Sequence, residues 1–161
     1  MEIRPATQDD WIRIWPFFTQ IVDAGETYAY PADLTMDGAR STWMEQPPGR
    51  TVVAVEENAV VGSAKMGPNR PGRGSHVATA SFMVDPAFHG RGIGRALGEY
   101  VIGWAGDQNY RGIQFNAVVE TNAPALRLWR SIGFRVIGTV PEAFDHATRG
   151  LVGLHIMYRA L

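Results

Sequence analysis

The chain has 161 residues, 45% hydrophobic and 19% charged, a composition that can build a core and does not read as disordered. Lys and Arg number 15 against 16 Asp and Glu, so no basic excess is available for a nucleic acid backbone, and no apolar run nears the ~18 residues of a membrane span. Cysteine is absent, which removes disulfides, cysteine-based metal sites and a cysteine nucleophile. The N-terminus shows no signal-peptide pattern, so the expectation is one cytoplasmic domain, residues 1–161.

In chain order, "MEIRPAT" reads as a short strand ending at Pro5. Thr7 or Asp9 can cap a following helix with Trp11, Ile14, Trp15, Phe18 and Val22 at helical spacing, and Pro16 predicts a kink or break in it. "GETYAYP" is a loop with exposed-type aromatics, and "LTMDGARSTWMEQ" a second helix stopped by Pro47, Pro48 and Gly49. "TVVAVEENAVVGSAKMG" predicts a hairpin turning at Glu57 and Asn58. The loop "PNRPGRGS" leads to the strand "HVATASFMV", stopped by Asp85 and Pro86. Ile93, Leu97, Val101 and Trp104 mark one face of a helix that Gly106 can end. "IQFNAVV" is a strand, "NAPALRLWRSI" a helix with Gly133 as its C-terminal cap, and "FRVIGTV" and "LHIMYRA" are two further strands. The order is mixed α/β with an antiparallel front half.

Between the strand that ends at Val84 and the helix that starts near Ile93, Gly90, Gly92 and Gly94 alternate with Arg91 and Arg95. A helix start leaves amide N–H groups unpaired, and glycines let the backbone curl so that several of them converge on one anion. The reading is a phosphate or pyrophosphate cradle, with Arg91 and Arg95 adding charge; the alternative is a glycine-rich connector that binds nothing. A Walker loop fails, because Arg95 and Ala96 stand where Lys and Ser or Thr are needed. The Rossmann fingerprint fails too, since neither glycine frame places Gly or Ala where the third small residue belongs.

"FMVDPAFHGRGIGRAL" resembles the signature of the GNAT acetyltransferase superfamily: a strand, a Pro-containing turn, Gln or Arg-x-x-Gly-x-Gly or Ala, then a helix. "NAPALRLWRSIGF" is similar to the family's second block, Asn-x-x-Ala-x-x-Leu-Tyr-x-x-x-Gly-Phe, and the element order matches along the whole chain. The resemblance implies a GNAT acyl-CoA N-acyltransferase fold: a mostly antiparallel sheet, splayed at the cofactor site and flanked by about four helices. It implies acetyl-CoA as cosubstrate and no metal. The pyrophosphate would sit on the amides of His89, Gly90, Arg91, Gly92, Ile93, Gly94 and Arg95. The pantetheine arm would pair with the backbone of Phe82, Met83 and Val84, and Asn122, Ala125, Leu128 and Trp129 would complete the cofactor site. Asn122 is expected to contact the cofactor rather than serve only as a helix cap.

Two residues depart from the family pattern. His89 stands where Gln or Arg is usual, and Trp129 where many members carry a tyrosine near the leaving sulfur. An indole donates a hydrogen bond but is no acid, so Tyr28 or Tyr30 takes over, or the thiolate leaves unaided, as a thiol pKa near ~8.5 allows. With no cysteine, direct attack of an amine on the thioester is expected, and the candidate groups for its proton are Glu26, Glu120, His76 and His146.

On "IQFNAVV", Gln114, Asn116 and Val118 should share one face and Phe115, Ala117 and Val119 the other. Asn116 is either a satisfied amide bridging loops or a substrate contact. "FNAVVETN", "GTVPEAF" and "MYRAL" resemble a GNAT branch that acetylates small amino and imino acids, and in that branch the matching asparagines help to hold the substrate and the cofactor. The expected acceptor is therefore a small amine, with Tyr28 or Tyr30 walling its pocket; Arg70 or Arg73 can attract a carboxylate, although a solvent-facing loop position is the favoured reading for each arginine. The rivals are a peptide or protein acetyltransferase and a non-catalytic acyl-CoA sensor. An occluding "GETYAY" loop favours the small acceptor. Nucleic acid and membrane partners are not expected; the resemblance allows a homodimer, since many members of the family pair through late strands.

Overall fold

The computed structural model describes all residues, 1–161. Seven strands form one sheet: β1 (Glu2–Pro5), β2 (Arg50–Glu56), β3 (Ala59–Pro68), β4 (Val77–Val84), β5 (Gly112–Val119), β6 (Arg135–His146) and β7 (Gly150–Ala160). Four α-helices, α1 (Trp11–Asp23), α2 (Met36–Trp43), α3 (Ile93–Asp107) and α4 (Ala123–Ser131), complete the mixed α/β architecture. Spatial order across the sheet is β1-β2-β3-β4-β5-β7-β6. Every pair is antiparallel except β4 with β5. No helix is long and apolar enough to cross a membrane.

The two faces of the sheet follow from alternation along the strands. On β2, Val52 and Ala54 join the core under α3 and α4, together with Leu97, Trp104, Ile113 and Met157. The intervening Val53 joins Ile14, Phe18 and Trp43 under α1 and α2. Each fully buried large side chain of this kind contributes about 2 kcal/mol by leaving water.

The parallel pair sets up the site. β4 and β5 share only two register positions, Val77 with Gly112 and Ala78 with Ile113, and then part. On its other side β5 bulges between Phe115 and Val118 against β7. That bulge overturns the expected alternation. Val118 enters the main core beside Phe115, while Asn116 and Ala117 stay exposed. One extra residue in a strand flips everything beyond it to the opposite face.

Two other expectations need correction. α1 runs unbroken through Pro16, because the stripe Trp11, Ile14, Phe17, Phe18 and Val22 is buried and outweighs one missing hydrogen bond, a cost of ~3 kcal/mol. β6 does not stop before Pro141. A register shift between Val140 and Phe144 absorbs the proline, with Glu142 at φ 52, and the strand continues to His146.

Candidate active site

The gap between β4 and β5 opens into a cavity of about 1100 Å³. One end is the glycine turn; the other lies between the α1–α2 loop and the tip of the β6–β7 hairpin.

At the glycine-turn end, Gly90 and Gly92 hold φ of 78° and 79°, left-handed values that suit glycine. A Cβ built on either would meet nothing within 4 Å, so both face open space. Gly92 is the N-cap of α3 and supplies no side chain to it, and no acidic residue stands in the first turn. The backbone N–H groups from Gly90 to Arg95 donate to no protein acceptor; the first amide of the helix to do so is that of Ala96, to the Gly92 carbonyl at 3.0 Å. This is an uncapped, partly positive helix start. The expected side-chain contributions divide. Arg91 turns away from the cavity, 2.8 Å from Glu56 and over the Phe88 ring. Arg95 lines the cavity, held by Glu99 at 3.2 Å and by Ser131 Oγ at 2.7 Å.

Along β4 the expectation of three free backbone positions is corrected. The Phe82 N–H donates to Tyr28 Oη at 2.9 Å, and Tyr28 Oη donates to the Phe82 carbonyl at 2.6 Å. One hydroxyl thus occupies both groups where β5 has left. Pleat alternation turns the Met83 groups toward β3, and the Asp85 N–H bond to the Val61 carbonyl at 3.0 Å keeps that phase. Val84 therefore aims its backbone into the gap without this plug.

Tyr28 and Tyr30 are not exposed loop aromatics. Their rings stack at 5.4 Å, Tyr30 stacks on Phe18 at 5.6 Å, and Trp43 meets Tyr28 edge-on. Burial, with the neighbouring Tyr30 second, pushes the Tyr28 hydroxyl well above the usual phenol range. Burial first and Glu45 second push Tyr30 up to about 12. A phenol so shifted keeps its proton at neutral pH. Tyr28 is thus a poor acid, with its hydrogen already given to Phe82.

Behind the gap, Trp129 packs against Phe82 at 4.6 Å and Phe115 at 5.0 Å. It lines the cavity, yet it is only 7% exposed, and its indole N–H has no protein acceptor. Asn122 lines the cavity while its Oδ1 accepts the Ala125 N–H at 3.2 Å, so it does cap α4; Nδ2 remains unengaged. Ala125 and Leu128 line the same wall.

Where the strands part, Asn116 is satisfied on several sides. It donates to Asn69 Oδ1 at 2.7 Å and accepts from Gln114 Nε2 at 2.9 Å, with Thr79 Oγ1 at 3.4 Å. It is a bridging amide with one edge in the cavity.

The hairpin end is built from distant segments. The Ala147 N–H donates to the Gly25 carbonyl at 2.9 Å, clasping the hairpin tip to the α1–α2 loop. Gly25 has φ 63°, and a Cβ there would stand 3.1 Å from Ala147 Cβ. Glu26, His146, Thr148 and Arg149 line this end.

Of the candidate bases, Glu26 and His146 face the cavity; Glu120 and His76 do not. Glu120 accepts the Gly153 N–H at 2.6 Å, latched onto β7. His146 Nδ1 accepts the Thr148 N–H at 3.2 Å, which puts the ring proton of neutral His146 on Nε2. His146 is then a donor rather than a ready base. Arg70 and Arg73 also lie outside the cavity wall. Arg149 and Thr148 escaped the sequence reading because β6 was expected to end before them.

A splayed parallel pair, an uncapped glycine turn and a cavity joining them define the acyl-CoA N-acyltransferase architecture. The Acetyltransferase (GNAT) family model matches residues 9–134. The chain belongs to the GNAT acetyltransferase family, whose members are acetyl-CoA-dependent N-acyltransferases. It is similar to a GCN5-related N-acetyltransferase from Kribbella flavida, 60% identical over 99% of this chain and 97% of that one, with a TM-score of 0.97. A ribosomal-protein-alanine N-acetyltransferase from Brucella melitensis is 26% identical over 100% of both chains, at a TM-score of 0.86. The yncA protein of Salmonella typhimurium, solved with its cofactor acetyl-CoA, is 25% identical over 100% of this chain and 94% of that one, also at 0.86. The chain spans less than half the length of the curated relatives it matches, 42% of one and 14% of another.

Proposed function

We propose that this chain transfers the acetyl group of acetyl-CoA directly to a small primary or secondary amine, with small amino and imino acids as the favoured acceptors. The observation that supports the acceptor class is the clasp between Ala147 and Gly25, which ties the hairpin tip to the start of the loop that carries Tyr28, beside the cavity. A loop tied there suits a compact acceptor better than a polypeptide passing through.

The residues fit the cosubstrate. The free N–H groups from Gly90 to Arg95 would hold its pyrophosphate, Val84 and Asn122 Nδ2 its arm, and Arg95 would add positive charge. Bound acetyl-CoA supplies an acetyl thioester, which reacts with neutral amines. With no cysteine in the chain, an acetyl-cysteine is excluded and the acceptor must come to the thioester itself. Glu26 is the cavity carboxylate that can draw the ammonium proton away, directly or through water. Trp129, which lines the cavity, would be able to donate its N–H to the departing sulfur, and the low pKa of a thiol, ~8.5, removes the need for a stronger acid.

Pairing as a homodimer belongs to the same proposal. β6 is the sheet edge, and it exposes Ile137 and Val140.

The test is release of CoA thiol, scored with a thiol-reactive dye across amino acids, imino acids, polyamines, aminoglycosides and lysine peptides. The cysteine-free protein gives no background. Turnover confined to small amino or imino acids is expected; turnover only on peptides or aminoglycosides would overturn the acceptor class.

A further inference from the structure

The cavity is lined by two arginines, Arg95 and Arg149, and only the first is occupied, by Glu99 and Ser131. Arg149 stands at the hairpin end, and its guanidinium makes no ion pair or hydrogen bond with the protein. Glu26 lines the same end, and its carboxylate is likewise unpartnered. The 2.9 Å bond from Ala147 to Gly25 fixes their relation: Glu26 follows Gly25 on one wall, and Arg149 lies just beyond Ala147 on the other. A free carboxylate and a free guanidinium, both exposed, therefore line the same end of the cavity. One backbone bond brings their chain segments together there.

We infer that Glu26 and Arg149 together read a zwitterion, so that the acceptor amine carries its own carboxylate, held by Arg149, while Glu26 receives the ammonium. A guanidinium presents paired donors that match a carboxylate in two parallel hydrogen bonds, stronger than neutral ones. Glu26 attracts the cation and, once the ammonium is in place, is the nearest charged acceptor for its proton. Polyamines and aminoglycosides carry only positive charge, so Arg149 repels them. A peptide lysine has no carboxylate close to its amine. The inference rests on reading this end of the cavity as the acceptor site.

Binding tests it without requiring turnover. Protein loaded with CoA is titrated calorimetrically with glycine, alanine, proline and methionine, and with their carboxamides. The free acids should bind about tenfold or more tighter than the carboxamides, as for a charge-assisted hydrogen bond. Arg149→Ala should bring that ratio close to one, and Arg149→Lys should restore part of it. Glu26→Gln should weaken acids and carboxamides alike. A ratio unchanged in Arg149→Ala, or wild-type protein that binds acids no better than carboxamides, overturns the inference. Acetyl-CoA turnover on the same compounds is read separately: a preserved binding ratio without any turnover would sink the transferase reading and leave the assignment of Arg149 standing.

Discussion

The two ends of the cavity are made differently. The glycine-turn end is backbone: a run of free N–H groups, contiguous in sequence, whose geometry comes from glycines at positive φ. The hairpin end is side chain: Glu26, His146 and Arg149 are brought together by one long-range bond and an aromatic stack. A backbone cradle tolerates changes of side chain, so it sets little demand on the side chain of His89. A side-chain pocket is rewritten by single substitutions. The same scaffold can therefore keep its acyl donor and change its acceptor.

Tyr28 joins the two ends, since it belongs to the loop and bonds the strand. The largest effect is expected at the cradle. Gly92→Val forces a β-branched residue to φ near 79°, a strain of about 1–2 kcal/mol, and pushes a side chain into the open space. Acetyl-CoA affinity, measured by calorimetry, should fall on the order of 30-fold, the equivalent of ~2 kcal/mol. An unchanged Kd would mean that the anion sits elsewhere.

Tyr28→Phe comes next. It leaves the Phe82 N–H and carbonyl unsatisfied at a cost of about 1–3 kcal/mol, so kcat/KM for the acceptor should drop about tenfold or more and Tm should fall. Acetyl-CoA affinity should move far less. Because burial raises the Tyr28 pKa, the hydroxyl stays protonated through neutral and mildly alkaline pH, and the variant's pH–rate profile should keep the wild-type shape. Loss of an alkaline limb in the variant would instead make Tyr28 the acid.

The smallest change is expected from Arg91→Ala. Its side chain is 55% exposed and pairs with Glu56 outside the cavity, an interaction of about 0–1 kcal/mol. Acetyl-CoA affinity should change by no more than about twofold on that scale. A tenfold loss by the same calorimetry would bring this guanidinium back to the phosphates.

What the sequence disclosed follows the same division. The cradle was legible because its geometry is local: glycine spacing between a strand and an amphipathic helix already states the turn and its free amides. The hairpin end was hidden by irregularities that single residues do not announce. Pro141 reads as a strand stop, yet a bulge at Glu142 carries β6 on to His146 and places Thr148 and Arg149 in the cavity. The β5 bulge reversed Val118. Glu120 looked available until its bond to Gly153 showed it turned to β7. Asn122 was readable as cap or ligand, and the structure gives its oxygen to the cap and leaves its nitrogen over. Charge type could be read; direction depended on tertiary partners.

The position of β7 in the sheet has a kinetic consequence. It follows every other strand in the chain but inserts between β5 and β6, and the hairpin it forms with β6 carries the clasp to Gly25. Pairings this far apart in sequence are slow to form, because a long loop must close before any contact repays it. During synthesis the glycine turn can be shaped while the opposite wall is still missing. A partly folded chain could then seat acetyl-CoA in a cleft open to water, with nothing to select what meets the thioester. If the hairpin end takes the acceptor as proposed, acceptor discrimination would be the last property this enzyme acquires as it folds, and the first it loses when the hairpin frays.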